Sequence, residues 1–197
     1  MNKDSKIYIA GHRGLLGSAI LRKLQSQGFS NLIYRTSAEL DLKDQTKTYD
    51  FLSREKPEYV FVSAAKVGGI KANMNAPASF LFENMQIQNN VIDGAYRAGV
   101  KKLLFVGSSC IYPKEAQCPI VESSLLTGPL EPTNEGYAIA KIAGIKMCQY
   151  YRTQYGCNFI SAIPTNLFGP EDLYDLEKSH LLPALILKIH RLKISGK

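Results

Sequence analysis

Tyr137 and Lys141 are the two side chains of this sequence whose types and spacing suit acid–base chemistry. They lie four residues apart in the segment NEGYAIAKIAG, so a helix would present both on one face. A phenol ordinarily titrates near ~10 and is a poor acid–base catalyst at neutral pH. A nearby ammonium stabilises the phenolate, so we expect Lys141 to lower the pKa of Tyr137. Because YxxxK also arises by chance in ordinary surface pairs, the interpretation needs support from the rest of the chain.

Ser108 supplies a third polar group. It follows the apolar run 102–106, which predicts a buried strand. A hydroxyl at that strand end can hydrogen-bond a substrate carbonyl while Tyr137 donates a proton. Lys141 would also hold the ribose hydroxyls of a nicotinamide cofactor, which would deliver a hydride. Together the three residues predict a site that reduces a carbonyl group.

A glycine-rich turn near the N-terminus must position the cofactor. The apolar run KIYIA ends at Ala10, Gly11, Gly14 and Gly17 follow, and a helical pattern then places Leu16, Ala19, Ile20 and Leu24 on one face. Gly11 can make the tight turn, Gly14 lets the backbone approach a pyrophosphate, and Gly17 lets the helix pack close to the sheet. The anion would bind at the free N–H groups of the helix N-terminus. The spacing is GxxGxxG rather than GxGxxG, so a strand–helix turn that binds nothing is the alternative.

The second predicted strand, 31–35, carries information about which dinucleotide binds. In NAD-binding folds an acidic residue near its end binds the ribose hydroxyls. Here the strand ends at Arg35 with no acid, and Arg13 stands inside the glycine turn. Two arginines near a 2′-phosphate favour NADP over NAD, although Arg35 is also compatible with an ordinary surface position. Asp41 and Leu42 follow on the adenine side.

Strands and helices alternate along the chain. Strands are predicted at 6–10, 31–35, 58–63, 102–106 and 159–163. Helices are predicted directly after the glycine turn and at 44–55, 77–98, 134–155 and 181–194. This alternation predicts an α/β fold with a doubly wound parallel sheet, a Rossmann fold. Ala64 and Ala65 follow the third strand, where small residues let a cofactor lie against the backbone. We expect residues 66–70 to form a flexible loop.

Composition narrows the class of protein. The 197 residues are 45% hydrophobic and 21% charged, which is ordinary for a globular protein of one domain, with room for a fragment of a second. The net charge is +7, but the basic residues are scattered, so a phosphate-binding site or a solvated surface explains the charge better than nucleic acid does.

Cysteine usage and targeting signals point to a compartment. The four cysteines, Cys110, Cys118, Cys148 and Cys157, form no CxxC pair and match no zinc-binding spacing, so we expect no metal site. The segment MNKDSK begins no signal peptide, and no run approaches the ~20 apolar residues of a membrane span. We therefore expect a cytoplasmic protein with free thiols.

Six segments spread over nearly the whole chain carry a resemblance: IAGHRGLLGSAI, AAKVGGI, LLFVGSSCIYP, LEPTNEGYAIAKIAGIKMC, PTNLFGP and SHLLPAL. They resemble the extended short-chain dehydrogenase/reductase family and, within it, the GDP-L-fucose synthases. These enzymes epimerise GDP-4-keto-6-deoxy-D-mannose at C3 and C5 and reduce it at C4 with NADPH. Cys110 distinguishes the segment from that of nucleotide-sugar 4,6-dehydratases, which typically carry an acid near this position. Simple 4-epimerases need no proton shuttle at C3 and C5.

The resemblance implies a role for individual residues. It assigns Ser108, Tyr137 and Lys141 to the reduction, and Cys110 and His180 to proton transfer at C3 and C5. A proton alpha to a ketone is acidic enough for a thiolate base, and an imidazole can reprotonate the opposite face. The implied cofactor-binding residues are Gly11, His12, Arg13, Gly14, Leu15, Leu16, Gly17, Arg35, Ala64, Val106, Gly107, Ser108, Ser109, Lys141, Pro164, Thr165, Asn166, Leu167 and His180. Lys188 is implied in binding the substrate diphosphate.

The chain departs from its relatives chiefly in length. The family continues past SHLLPAL into a substrate-binding portion, so we expect an NADP-binding domain at 1–170 and only the beginning of a second domain at 171–197. Ser37 stands where some relatives carry a further arginine near the 2′-phosphate. The resemblance implies a GDP-sugar substrate and a homodimer built through helices 77–98 and 134–155. Two interpretations stay open: an active enzyme, or a truncated and catalytically silent NADP-binding domain.

Overall fold

The fold is centred on one parallel sheet. The computed structural model describes residues 1–176, 179 and 181–195. In that part of the chain, five strands pair in the order β2-β1-β3-β4-β5, all parallel. Their bounds are Ile7–Ala10 for β1, Leu32–Ile33 for β2, Tyr59–Val62 for β3, Lys102–Val106 for β4 and Phe159–Ala162 for β5. The predicted doubly wound parallel sheet is confirmed.

Helices connect the strands. Among the described residues they are α1 (Leu15–Ser26), α2 (Gln45–Glu55), α3 (Ile70–Asn75), α4 (Pro77–Arg97), α5 (Glu135–Tyr155) and α6 (Leu181–Ile194). Asp44 caps α2, since its side chain accepts a hydrogen bond from the backbone N–H of Lys47. Pro77 occupies the first turn of α4, where its missing N–H costs nothing.

The sheet is covered on both faces. Ile7 and Ile9 pack with Leu24 of α1, whereas Tyr8 and Ala10 belong to the larger core shared with α2, α4 and α5. Side chains alternate between the two faces of a strand, so β1 is apolar at every position because neither face meets water.

Three local predictions need correction. The second strand has two paired residues rather than five, so Arg35 lies beyond its end. The loop predicted at 66–70 leads directly into α3, which begins at Ile70. On α1, Ala19 is exposed and the buried positions are Gly17, Ser18 and Leu24. The helix is turned this way because Gly17 lies against the backbone of Gly11.

Two findings bear on the environment of the protein. All four cysteines lie among the described residues, and their thiols are free. No helix in the described part of the chain combines the length and the apolar character needed to span a bilayer.

Candidate functional site

The glycine turn that follows β1 has the geometry predicted for two of its glycines. Gly11 has a φ of +88°, and a Cβ there would lie 2.6 Å from the backbone nitrogen of Ala64. A Cβ on Gly17 would lie 2.0 Å from the carbonyl oxygen of Gly11. The tight turn and the close helix–sheet packing are therefore confirmed. A Cβ on Gly14 would meet its nearest atom, the carbonyl oxygen of Gly11, at 3.5 Å, which is an ordinary contact distance. Packing alone therefore does not require a glycine at this position.

A cavity of about 870 Å³ opens at the carboxyl ends of β1, β3 and β4. The order of strands reverses between β1 and β3, which is where open α/β sheets bind ligands. The predicted cofactor residues that line it are Gly11, His12, Arg13, Gly14, Leu15, Leu16, Gly17, Arg35, Ala64, Val106, Gly107, Ser108, Lys141, Pro164, Thr165, Asn166 and Leu167. Ser109 is half-buried in a short 3₁₀ turn and is not among the lining residues that the structure describes. His180 lies outside the described residues.

Arg13 and Arg35 both line the cavity. One guanidinium nitrogen of Arg35 donates to the carbonyl oxygen of Tyr34 at 2.7 Å, and another lies 3.7 Å from a carboxylate oxygen of Glu55. The guanidinium also lies 5.5 Å from the centre of the Phe51 ring. Arg35 is thus held in place at the cavity edge, where its charge suits a phosphate.

Lys141 is the most deeply buried of the predicted catalytic residues. Its side chain lies in α5 and is 3% exposed. The ammonium donates a hydrogen bond to the carbonyl oxygen of Val106 at 2.8 Å and lies 4.8 Å from the centre of the Phe105 ring. Burial lowers its pKa to about 8, against a smaller opposing effect of Cys110. The ammonium therefore keeps its charge at neutral pH with little margin.

The environment of Tyr137 overturns one expectation. The phenol shares the α5 face with Lys141, and the ammonium lies 5.7 Å from the centre of the phenol ring. The pKa of Tyr137 is nevertheless raised, because burial outweighs other effects and the Cys110 thiolate would repel a phenolate. A hydrogen bond with Ser108 lowers it only in part. The prediction of a lowered pKa is wrong for this structure, and the phenol is held in its proton-donating form.

Cys110 lies next to this group in the 3₁₀ turn Ser109–Ile111 that follows β4. Burial raises the pKa of its thiol, while the hydrogen bond with Ser108 and the charge of Lys141 lower it. The thiol does not line the cavity but interacts with Ser108, Tyr137 and Lys141. The structure thus brings four of the five predicted catalytic residues together. Lys188, predicted to bind substrate, is exposed on α6 and is not among the described cavity residues.

The cavity fits the dinucleotide that the sequence predicts. The ring nitrogen Nδ1 of His12 is buried at the cavity wall and has no hydrogen-bond partner among the described residues. Burial, and then the charge of Arg13, lowers the pKa of this imidazole, so it is neutral at pH 7. Its ring lies 4.5 Å from that of Tyr34. An unpaired buried nitrogen needs a polar ligand group, and the open glycine turn and two arginines suit phosphates.

Sequence reasoning missed several residues of the cavity wall: Lys43, Glu83 and Asn73. Lys43 and Lys66 both form ion pairs with Glu83, at 3.2 and 2.5 Å, which link α4 to the segment before α2 and to the loop after β3. Asn73 lies on α3, a six-residue helix too short to give a periodic pattern. The sequence signal for Asn73 is its spacing of four residues from Gly69. At that distance its side chain can donate hydrogen bonds to the carbonyl oxygens of Gly68 and Gly69, as it does in the structure.

Comparison with known proteins gives the family. Residues 7–196 match the NAD dependent epimerase/dehydratase family. The chain belongs to this family. The chain is 62% identical over 195 residues to GDP-L-fucose synthase 1 of Arabidopsis thaliana. The alignment covers 99% of this chain and 60% of the relative. The resemblance inferred from the sequence motifs is therefore confirmed.

Solved structures of the family match the fold closely. A GDP-D-glycero-L-gluco-heptose synthase of Campylobacter jejuni, solved in the presence of NADPH, is 46% identical with a TM-score of 0.94, covering 98% of this chain and 57% of that one. A GDP-L-fucose synthetase of Naegleria fowleri bound to NADP is 32% identical with a TM-score of 0.90, covering 100% and 65%. The chain thus spans about 60% of the length of the relatives it matches.

Proposed function

We propose that this chain carries the NADP-binding and catalytic residues of a GDP-L-fucose synthase, which converts GDP-4-keto-6-deoxy-D-mannose to GDP-L-fucose by 3,5-epimerisation and NADPH-dependent 4-reduction. One observation carries the proposal: Ser108, Tyr137 and Lys141 meet beside Cys110 at the cavity that the glycine turn borders. A reductase without epimerisation needs no thiol at that place.

In the reduction, the protein residues hold and protonate the ketone oxygen. The Ser108 hydroxyl donates to that oxygen, and Tyr137, kept protonated by burial, gives it a proton. Lys141 keeps a positive charge beside the phenol while the proton leaves, which favours the phenolate that forms. NADPH, when bound, supplies the hydride.

In the epimerisation, the same oxygen would carry the enolate charge, held by Ser108 and Tyr137. Cys110 and His180 would move the protons at C3 and C5. Because burial raises the pKa of the Cys110 thiol, its deprotonation depends on Ser108 and Lys141, which both lower that pKa. One set of polar groups would therefore serve both half-reactions.

The remaining assignments follow the relatives. The Arabidopsis relative named a GDP-L-fucose synthase and the NADP-bound Naegleria structure support NADP(H) as cofactor and a GDP-sugar as substrate. In this proposal residues 1–170 form the NADP-binding domain, residues 171–197 begin the substrate domain, and Lys188 contacts the diphosphate. The chain would work in the cytoplasm as a homodimer through α4 and α5.

A second function is compatible with the share of its relatives that the chain spans. The chain spans about 60% of the Arabidopsis relative, so the portion that completes the sugar-nucleotide pocket in the family lies outside it. A catalytically silent NADP-binding domain would keep the glycine turn, Ser108, Tyr137 and Lys141 and lack turnover.

Two measurements separate these functions. NADPH oxidation by the 197-residue chain with GDP-4-keto-6-deoxy-D-mannose is followed by absorbance, and the product is identified by NMR, with Tyr137→Phe as the inactive control. GDP-L-fucose as product establishes the synthase. No turnover, with NADPH still raising the melting temperature, establishes the silent domain. No turnover and no NADPH-dependent stabilisation would refute both.

Cys110→Ser tests the role of the thiol. We expect it to slow solvent deuterium incorporation at C3 and C5 much more than the reduction of an already epimerised ketone, since a serine hydroxyl is a far weaker acid than a thiol. Cys157→Ser, at a half-buried thiol away from the cavity, is the control. Equal losses in the two half-reactions would contradict the assignment.

A further inference from the structure

The buried ammonium of Lys141 has few polar partners. The residue is 3% exposed, and an ammonium carries three N–H donors. One of them meets the carbonyl oxygen of Val106 at 2.8 Å. In the described part of the chain no carboxylate forms an ion pair with this lysine, and Cys110 is the group whose charge acts on it. Burying a charge without a partner of opposite sign is costly, so a further attraction is needed at this place.

The ring of Phe105 supplies such an attraction. The ammonium of Lys141 lies over the face of that ring, 4.8 Å from its centre, and 5.7 Å from the centre of the Tyr137 ring. A cation is attracted to the negative face of an aromatic ring within about 6 Å, most strongly where water is excluded. Phe105 is 1% exposed and precedes Val106 in β4. Two consecutive residues of one strand therefore contact the same ammonium, one with a ring face and one with a carbonyl oxygen.

A glycine in the interior of α5 makes room for this ring. Gly144 lies three residues after Lys141, where a glycine is destabilising relative to alanine because it loses more backbone freedom on folding. A Cβ at Gly144 would lie 2.7 Å from the Cε1 atom of Phe105 and 2.8 Å from the Oε1 atom of Gln88. Any other residue would have to displace the ring, the amide or both.

Gln88 fastens the same part of α5 to α4. Its side chain is 2% exposed, and its amide nitrogen donates to the carbonyl oxygen of Ala140 at 2.7 Å. Ala140 is the residue before Lys141 and lies four residues before Gly144. The turn of α5 that carries the lysine is thus packed against the Phe105 ring and bonded to α4.

We propose that Phe105 is a positioning residue of this site: the face of its ring holds the charged ammonium of Lys141 in place, and Gly144 lacks a side chain so that the ring can lie there. The effect on catalysis rests on the proposed function, in which the charge of Lys141 favours the phenolate of Tyr137. A ring that only fills space beside the lysine stem is the alternative, so the test must detect the charge rather than the packing.

The test measures the pKa of Lys141 by NMR titration of the cofactor-free 197-residue chain with 13C-labelled lysine. The Lys141 signal is identified by its absence from Lys141→Met. Phe105→Leu keeps an apolar side chain in the core and removes the ring face. We expect it to lower the pKa of Lys141 from about 8 by about one pH unit, a tenfold change in the protonation equilibrium. At pH 7.5 the charged fraction of the lysine would then fall about threefold.

Three comparisons separate the ring face from other effects. Phe159→Leu is the matched control, since Phe159 is 1% exposed on β5 and lies over no described lysine, so it should leave the pKa of Lys141 unchanged. Phe105→Met guards against a folding defect, because a flexible methionine fills the space of the ring more readily, and it should lower the pKa in the same way. The titrations are repeated on a Cys110→Ser background, because the thiol acts on the lysine, whereas burial keeps the Tyr137 phenol protonated in this range.

Three results would overturn the proposal. The first is an unchanged or raised pKa of Lys141 in the Phe105 variants, which would mean that the ring only fills space or excludes water. The second is an equal shift in Phe159→Leu. The third needs no substitution: protons beside the Lys141 ammonium should resonate upfield of those of other lysines, because a ring face shields what lies over it, and an unshifted signal would contradict the contact. Failure of the proposed function is detected separately, as the loss of NADPH-dependent stabilisation in a thermal melt.

Discussion

Lys141→Met replaces a buried ammonium with an apolar side chain of similar length. Burial lowers the pKa of Lys141 from the ordinary 10.5 to about 8. At about 1.36 kcal/mol for each pH unit, that interval corresponds to about 3 kcal/mol by which the folded state disfavours the charged lysine. The substitution removes this penalty but leaves the Val106 carbonyl without its partner, which costs about 1–3 kcal/mol. At pH 7 we therefore expect a net change between zero and about 2 kcal/mol in favour of the variant.

The dependence of stability on pH gives the sharper measurement. Below pH 8 the lysine is protonated in both states, so it contributes no slope. Between about pH 8 and 10.5 the folded protein releases the proton while the unfolded chain keeps it, so the unfolding free energy of wild-type protein rises with pH. Lys141→Met lacks this rise. Urea unfolding of both proteins, without cofactor, at several values between pH 7 and 10 measures the difference between the two curves.

Lys146→Met is the matched control, since it removes a lysine of α5 whose ammonium bonds only the side chain of Gln149 among its described partners, at 3.2 Å. Its curve should parallel that of wild-type protein. If Lys141→Met also parallels wild type, burial does not perturb the lysine and the reasoning is refuted. Groups that titrate above pH 8 and do not interact with Lys141 cancel, because all three proteins share them; the Cys110 thiol does interact with it, so the comparison is repeated on a Cys110→Ser background.

Two further pairs of substitutions test the packing of the fold. Gly17→Ala should abolish folding, since its Cβ would lie 2.0 Å from the Gly11 carbonyl oxygen. For Gly14→Ala, whose added Cβ would meet its nearest atom at 3.5 Å, we expect a folded protein that loses at most about 1 kcal/mol of stability and binds NADPH more weakly. Circular dichroism and NADPH titration distinguish the two variants, and a folded Gly17→Ala protein would contradict the close packing. Asp93→Ala leaves Tyr49 and Tyr151 without their acceptor and should cost about 2–4 kcal/mol in urea unfolding, against no change for the exposed Asp50→Ala. A loss equal to that of Asp50→Ala would mean that the two phenols find other partners.

Much of the fold could be predicted because its signals are local. The apolar run that became β1 is buried on both faces, and those that became β3 and β4 are buried on one face and largely half-buried on the other, which gives nearly continuous hydrophobicity. The end of α5 at Tyr155 was predicted to the residue, since Gly156 takes the left-handed conformation that stops a helix. The second strand was overestimated because only two of its residues find partners on β1.

The electrostatics of the site could not be predicted in the same way. Spacing placed Tyr137 and Lys141 on one helix face, and the structure agrees. The direction of the phenol's pKa, however, depends on how much water reaches it and on the thiol of Cys110, which comes from the end of β4. Desolvation is a property of the packed molecule rather than of any segment, so sequence spacing gave the partner and missed the sign.

Buried polar side chains on α4 are the reason why the sequence predicted the cavity wall only in part. Leu81, Met85 and Ile92 are spaced as an apolar stripe on α4, but Asn84, Gln88 and Asn90 are more buried than the first two. Each of these amides bonds backbone groups of another segment. Asn84 accepts from the N–H of Lys66 at 2.8 Å and donates to its carbonyl at 3.0 Å. Gln88 donates to the Ala140 carbonyl at 2.7 Å, and Asn90 donates to the carbonyls of Leu42 and Lys43 at 2.9 and 3.0 Å.

These three amides therefore fasten three separate segments of the cavity wall to one helix. Buried amides are tolerated in a core only when they are hydrogen-bonded. Asn84 and Asn90 bond backbone groups of Lys66 and Leu42, which lie outside the helices and strands, and Gln88 bonds the carbonyl of Ala140, the residue before Lys141. From the sequence alone, such residues look like interruptions of an apolar face. In the folded chain they join α4 to the loop after β3, to the segment before α2 and to α5, and all three of these contribute residues to the lining of the cavity.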